Sequence, residues 1–90
     1  MEEMIVVQLN PTQTKQIIYV ISNNSEEVPH KIESSIDELN SQVAMAAAKY
    51  NIHYIKLAGA TDYAAGIRDS LTEKINTCFG KNNNFIIELM

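Results

Sequence analysis

The sequence predicts an α/β domain in which three strands precede an alternation of helix, strand, helix and strand. Three observations predict it. Short β-rich apolar runs open the chain and are separated by Asn, Pro, Ser and Thr clusters. Two longer stretches then repeat apolar residues at spacings of three and four, which is the helical period. Each of these is followed by another short apolar run, the last reaching Leu89. The order is therefore β-β-β-α-β-α-β, and the 90 residues suit one domain spanning 1–90.

The first strand runs from Met4 to Leu9 and the second from Lys15 to Ser22. Between them lies Asn10-Pro11-Thr12-Gln13-Thr14. Proline fixes its own φ and cannot donate to a ladder, while Asn and Thr bond the local backbone, so this segment predicts a hairpin. After Asn23-Asn24-Ser25-Glu26-Glu27 comes a weaker strand, Val28 to Ile32, whose Pro29 and His30-Lys31 suit a sheet edge.

The first helix is expected from Ile36 to Tyr50, with Ser35 as its cap and Glu38 reaching back to complete a capping box. Ile36, Leu39, Val43, Ala46, Ala47 and Tyr50 form its apolar stripe, and Asp37 and Glu38 oppose the positive end of the helix dipole. Small residues from Ala44 to Ala48 favour close packing, with Met45 among them as a packing residue and not a ligand. A fourth strand follows from Ile52 to Ala58. The second helix is expected from Asp62 to Phe79, capped by Thr61, with Ala64, Ile67, Leu71, Ile75 and Cys78 facing the sheet. Gly80 is placed to end it in the left-handed conformation, and Gly66, unfavourable in a helix interior, points to close approach of a neighbour. The fifth strand is Phe85 to Leu89.

Handedness turns this order into an arrangement. With the fourth strand beside the first and the fifth beyond it, the sheet order is 3-2-1-4-5, a mixed sheet. Two right-handed crossovers moving in one direction then place both helices on one face, giving two layers. The opposite face has no cover from this chain, yet its strands are apolar on both sides where a half-solvated sheet should alternate. Met4, Val6, Ile18, Val20 and Tyr54 are the candidates for an interface with a protein partner or a second copy.

Composition narrows the function. Seven Lys plus Arg against eleven Asp plus Glu give a net charge of −4, and the scattered basic residues make no nucleic-acid stripe. One cysteine, Cys78, excludes an internal disulfide and, on the apolar stripe at a helix carboxy end, is expected as a buried thiol. The acidic start Met1-Glu2-Glu3 is unlike a secretory signal and no apolar run is long enough to span a bilayer, so a cytoplasmic protein without membrane contact is expected. His30 and His53 lack the partners and spacing of a zinc site. Gly59-Ala60-Thr61 sets backbone donors at a helix amino terminus, an anion-binding candidate without a glycine-rich fingerprint.

Val6-Val7-Gln8-Leu9-Asn10-Pro11-Thr12, followed by Gln16-Ile17-Ile18-Tyr19-Val20, resembles the first hairpin of the Holliday-junction resolvase branch of the ribonuclease H-like superfamily. Tyr54-Ile55-Lys56-Leu57-Ala58-Gly59-Ala60 leading into Tyr63-Ala64-Ala65-Gly66-Ile67 is similar to the strand-to-helix step of its actin-like branch. In topology the resemblance covers nearly the whole chain, without the final helix that often supplies the last carboxylate. It implies a fold in which carboxylates at strand ends hold two divalent cations about 4 Å apart to activate water. Position ten, however, is Asn where that family carries a metal-binding Asp. Asn10, Asp62 and Glu88 are the remnant metal-site candidates, although Asp62 and Glu38 are better accounted for as helix amino-terminal acids and Glu88 as a solvated strand residue. No Ser-His-Asp or Cys-His set can be assembled, so no catalytic residue and no cofactor is assigned. The expected role is a non-enzymatic protein-binding or regulatory module, of the kind found as phage or mobile-element accessory proteins and inhibitors of host defence. The rivals are a remnant metal-dependent nuclease and a structural homo-oligomer.

Overall fold

A computed structural model describes residues 3–23 and 30–90. Its elements are β1 (Met4–Gln8), β2 (Lys15–Ile21), β3 (His30–Ser35), α1 (Leu39–Tyr50), β4 (Tyr54–Ala58), α2 (Thr61–Phe79) and β5 (Ile86–Leu89). The five strands form one mixed sheet ordered β3-β2-β1-β4-β5. The β1–β2 and β2–β3 pairs are antiparallel, whereas β1–β4 and β4–β5 are parallel.

One side of this sheet carries the core. Residues directly opposite on paired strands share a face, so the register builds two apolar rows: Val20, Ile5, Ile55 and Ile87, then Ile32, Ile18, Val7, Leu57 and Leu89. Ile5, Val7, Ile18, Ile55 and Leu57 are fully buried. Against them α1 packs Leu39, Val43, Ala44, Ala46 and Ala47, and α2 packs Ala64, Leu71 and Ile75. Only one parity of the strand residues is sealed, which places both helices on that side, as expected of right-handed crossovers that move in one direction across the sheet.

The β3–α1 junction departs from expectation. Val28 and Pro29, the first residues of the expected third strand, lie outside the described residues, and β3 extends instead through Ser35. Its ladder with β2 continues to Lys15↔Ser35, with buried Ser34 beside Gln16. Ladder pairing therefore claims Ser35, and the capping box does not form. The chain turns through residues 36–38, with Glu38 N–H donating to Ser35 O (3.2 Å) and Leu39 N–H to Ile36 O (3.4 Å). Glu38 occupies the cap position without a side-chain cap bond, and no acidic residue lies in the helix's own first turn. Ile36 leaves the apolar stripe and is 39% exposed. At the other end Asn51 adopts the left-handed conformation (φ 54°, ψ 48°) and its N–H donates to Ala47 O, a role Asn tolerates well.

Helix α2 begins at Thr61, with Ala60 in the cap position and no side-chain cap, so Thr61 is the first helical residue and not the cap. Asp62 lies in the first turn as expected. Gly66 has open space on the side where a Cβ would project, so no neighbour dictates it. Cys78 is exposed, because the buried stripe follows Ala64, Leu71 and Ile75 and then Phe79, which packs partly against the core. Gly80 ends the helix at φ 89° but ψ 159°, a positive-φ extended conformation outside the left-handed helical region. Asn83 then holds the turn to β5. Its amide donates to Asn76 Oδ1 (2.8 Å) and Gly80 O (2.6 Å), and its Oδ1 accepts from Phe85 N–H (3.1 Å).

Candidate interaction surface

The hairpin that sets the register of β1 and β2 is held by one buried side chain. Gln16 is 1% exposed. Its Oε1 accepts from Asn10 N–H (2.5 Å), while its Nε2 donates to Asn10 O (3.0 Å) and Gln13 O (3.1 Å). Asn10 in turn uses Oδ1 to accept from the backbone N–H (3.1 Å) and hydroxyl (2.8 Å) of Thr12, an Asx turn. Register matters here because a one-residue slip would send every β2 side chain to the wrong face.

The face opposite the helices follows from that register. Its central row is Lys31, Tyr19, Val6, Lys56 and Glu88, taken in order across the sheet. On one side lies Glu33, Ile17, Gln8 and Ala58; on the other, Ile21 with Met4 and Tyr54 with Ile86. Neither helix covers this face. Met4, Val6, Ile17, Tyr19, Ile21 and Tyr54 are each part-exposed, and Ile86 is 54% exposed. Apolar side chains thus fill most of the middle of the face, with Lys56 among them beside Val6, Lys31 and Glu33 on the β3 edge and Glu88 on the β5 edge. Tyr54 is held in place by its hydroxyl, which donates to Glu88 Oε2 (2.9 Å), and Lys56 Nζ stands 5.4 Å from its ring centroid.

Of the interface candidates, Met4, Val6 and Tyr54 lie on this face. Ile18 and Val20 do not; they are 0% and 3% exposed in the core. The correction is a matter of phase. Met4 pairs with Ile21 and Val6 with Tyr19, so the outward residues of β2 are Ile17, Tyr19 and Ile21. Both parities of β2 are apolar, so alternation carried no phase, and only the hairpin loop, through Gln16, could have supplied it.

The remaining candidates fall in separate places. Asn10 sits in its turn beyond the end of β1, and Asp62 in the first turn of α2. Glu88 is in the row of Val6, four residues and about 13 Å along the strand from Asn10. Among the described residues no group of three His, Cys, Asp or Glu is placed to hold a metal ion. The Gly59 turn has a packing explanation: at φ 150° a Cβ would lie 2.7 Å from Leu9 O, while Leu9 N–H donates to Ala58 O (2.7 Å). Ala60 and Thr61 are exposed beside it, and the Asp62 carboxylate already supplies negative charge to this helix start. His30 packs against Tyr50 (ring centroids 5.8 Å apart) and His53 against Phe85 (4.7 Å), so both histidines serve ring packing.

On the helical side a concavity of about 430 Å³ lies between α1 and α2, walled by Ala44, Met45, Ala48 and Phe79 with Lys74 and Cys78 at its margin. A smaller one, about 230 Å³, lies between α1 and β3 beside His30 and Lys49. The first gathers Ser41, Lys74 and Cys78 and the second His30, Lys49 and Tyr50, and neither is lined by a carboxylate. Among the described residues no helix is long and apolar enough to cross a membrane. Comparison with family models, curated proteins and solved structures finds no match.

Proposed function

We propose that this chain is a non-enzymatic protein-binding or regulatory module and that the sheet face that neither helix covers is its working surface. The observation that carries the reading is a five-stranded face that neither helix covers, with a largely apolar middle in which Lys56 stands beside Val6 and with Lys31, Glu33 and Glu88 at its edges. Such a layout is that of an interface, with its apolar middle and polar rim. We take the domain to be of ribonuclease H-like fold, supported by the 3-2-1-4-5 strand order and the antiparallel meander extended by two parallel strands. Binding is favoured over the remnant nuclease reading because Asn10 is engaged in its own turn and Glu88 stands about 13 Å further along the sheet. A role as an accessory protein or inhibitor in a phage or mobile element fits a small binding domain of this kind.

The test is Val6→Glu, which sets a carboxylate at the centre of the face opposite Lys56 and leaves the buried row untouched. Wild-type and variant protein are immobilised and compared for what they retain from lysate, with thermal melts run alongside. Cooperative melting in both and loss of specific retention in the variant is the expected result. The same proteins retained by both would sink the assignment of this face.

A further inference from the structure

The geometry points to a second copy of this chain as the occupant of the sheet face opposite the helices, seated by a two-fold axis that runs along β1. The inference rests on the reading of this face as a binding surface and names its partner. A two-fold axis along β1 exchanges β2 with β4 and β3 with β5 while keeping every row at its own level. In the central row it sets Lys31 of one copy over Glu88 of the other and Tyr19 over Lys56, with Val6 meeting Val6. In the neighbouring row Ile21 meets Tyr54.

Each contact occurs twice by symmetry. The outer strands stand about 19 Å apart at ordinary strand spacing, so the two Lys31–Glu88 pairs flank the apolar band as a charged rim. Glu88 is already oriented on this face by Tyr54 Oη at 2.9 Å. The strand directions of the two sheets stay nearly aligned, which is the packing that twisted sheets prefer.

The same charges reject the alternative arrangement. An axis running across the strands at the level of Val6 keeps each column in place. It would set Lys31 on Lys31, Lys56 on Lys56 and Glu88 on Glu88, three like-charge contacts in one row. Like-charge juxtaposition is the usual means by which an interface excludes a wrong register. The charge pattern is thus self-complementary for one axis and self-repelling for the other.

The experiment is light scattering across a concentration series at low salt, on wild type, Lys31→Glu, Glu88→Lys and the double charge swap. Wild type should reach twice the 10.1 kDa chain mass. Each single reversal turns two attractions into two repulsions and should raise the dimer dissociation constant by about tenfold. The double swap should restore it to within about threefold of wild type. Val6→Glu should dissociate the dimer while melting cooperatively. Because Lys31 and Glu88 are exposed, the charge-swap series stays informative even if Val6→Glu does not fold. A monomer at every concentration, with lysate proteins still lost on Val6→Glu, would overturn the second copy and leave the surface assignment standing. A dimer indifferent to all four variants would overturn both. Weakened single variants without rescue in the double would overturn the axis.

Discussion

Replacing Gln16 by leucine should destabilise the domain by about 2–3 kcal/mol. Leucine nearly preserves the volume that is 1% exposed, so the loss isolates three hydrogen bonds to Asn10 N–H, Asn10 O and Gln13 O, at 2.5, 3.0 and 3.1 Å. Each such bond is worth about 0.5–1.5 kcal/mol net, so the three together span about 1.5–4.5 kcal/mol. Asn10 and Gln13 are exposed, and water can take over part of what the glutamine satisfied, which favours the lower half of that range. For a domain of this size the loss corresponds to a fall in Tm of roughly 8–24 °C. Urea unfolding followed by far-UV circular dichroism measures it, with an unchanged m value expected because the surface exposed on unfolding is the same. A loss below about 0.5 kcal/mol would refute the idea that Gln16 holds the hairpin. The same substitution should also weaken binding at the sheet face, because the hairpin fixes which β2 side chains point outward.

Two glycines should respond in opposite directions when changed to alanine. Gly66→Ala, in a helix and with nothing beyond the helix's own local backbone within 4 Å of the new Cβ, should stabilise by about 0.5–1 kcal/mol. Gly59→Ala should destabilise by about 1–3 kcal/mol, since φ is 150° and the Cβ would lie 2.7 Å from Leu9 O; thermal melts separate the two, and equal shifts would contradict the packing described. Leu71→Ala, fully buried, should cost about 2–5 kcal/mol, whereas Ile36→Ala, at a position 39% exposed, should cost less than about 1 kcal/mol. A larger loss at Ile36 in chemical denaturation would show that the helix stripe begins before Leu39.

Much of the architecture was legible without coordinates because it depends on local chemistry and on chirality. Apolar runs broken by Asn10-Pro11 and by Gly80 delimit elements, and once the fourth strand is set beside the first and the fifth beyond it, the handedness of crossovers puts both helices on one side of a 3-2-1-4-5 sheet. What the tertiary structure alone decided is the phase of β2 and the start of α1. Residues 17–21 are apolar at every position, so no alternation distinguishes core from surface there. The antiparallel pairing of Val6 with Tyr19 makes that choice, sending Ile18 and Val20 inward and Tyr19 outward. Likewise Ser35 and Glu38 have the chemistry of a helix cap, yet the ladder from Lys15 to Ser35 captures Ser35 as strand and delays the helix to Leu39. At the start of α1 a contact between residues distant in sequence outweighs a local capping preference worth about 1 kcal/mol, and in β2 such a contact supplies a phase for which the local sequence carries no preference at all.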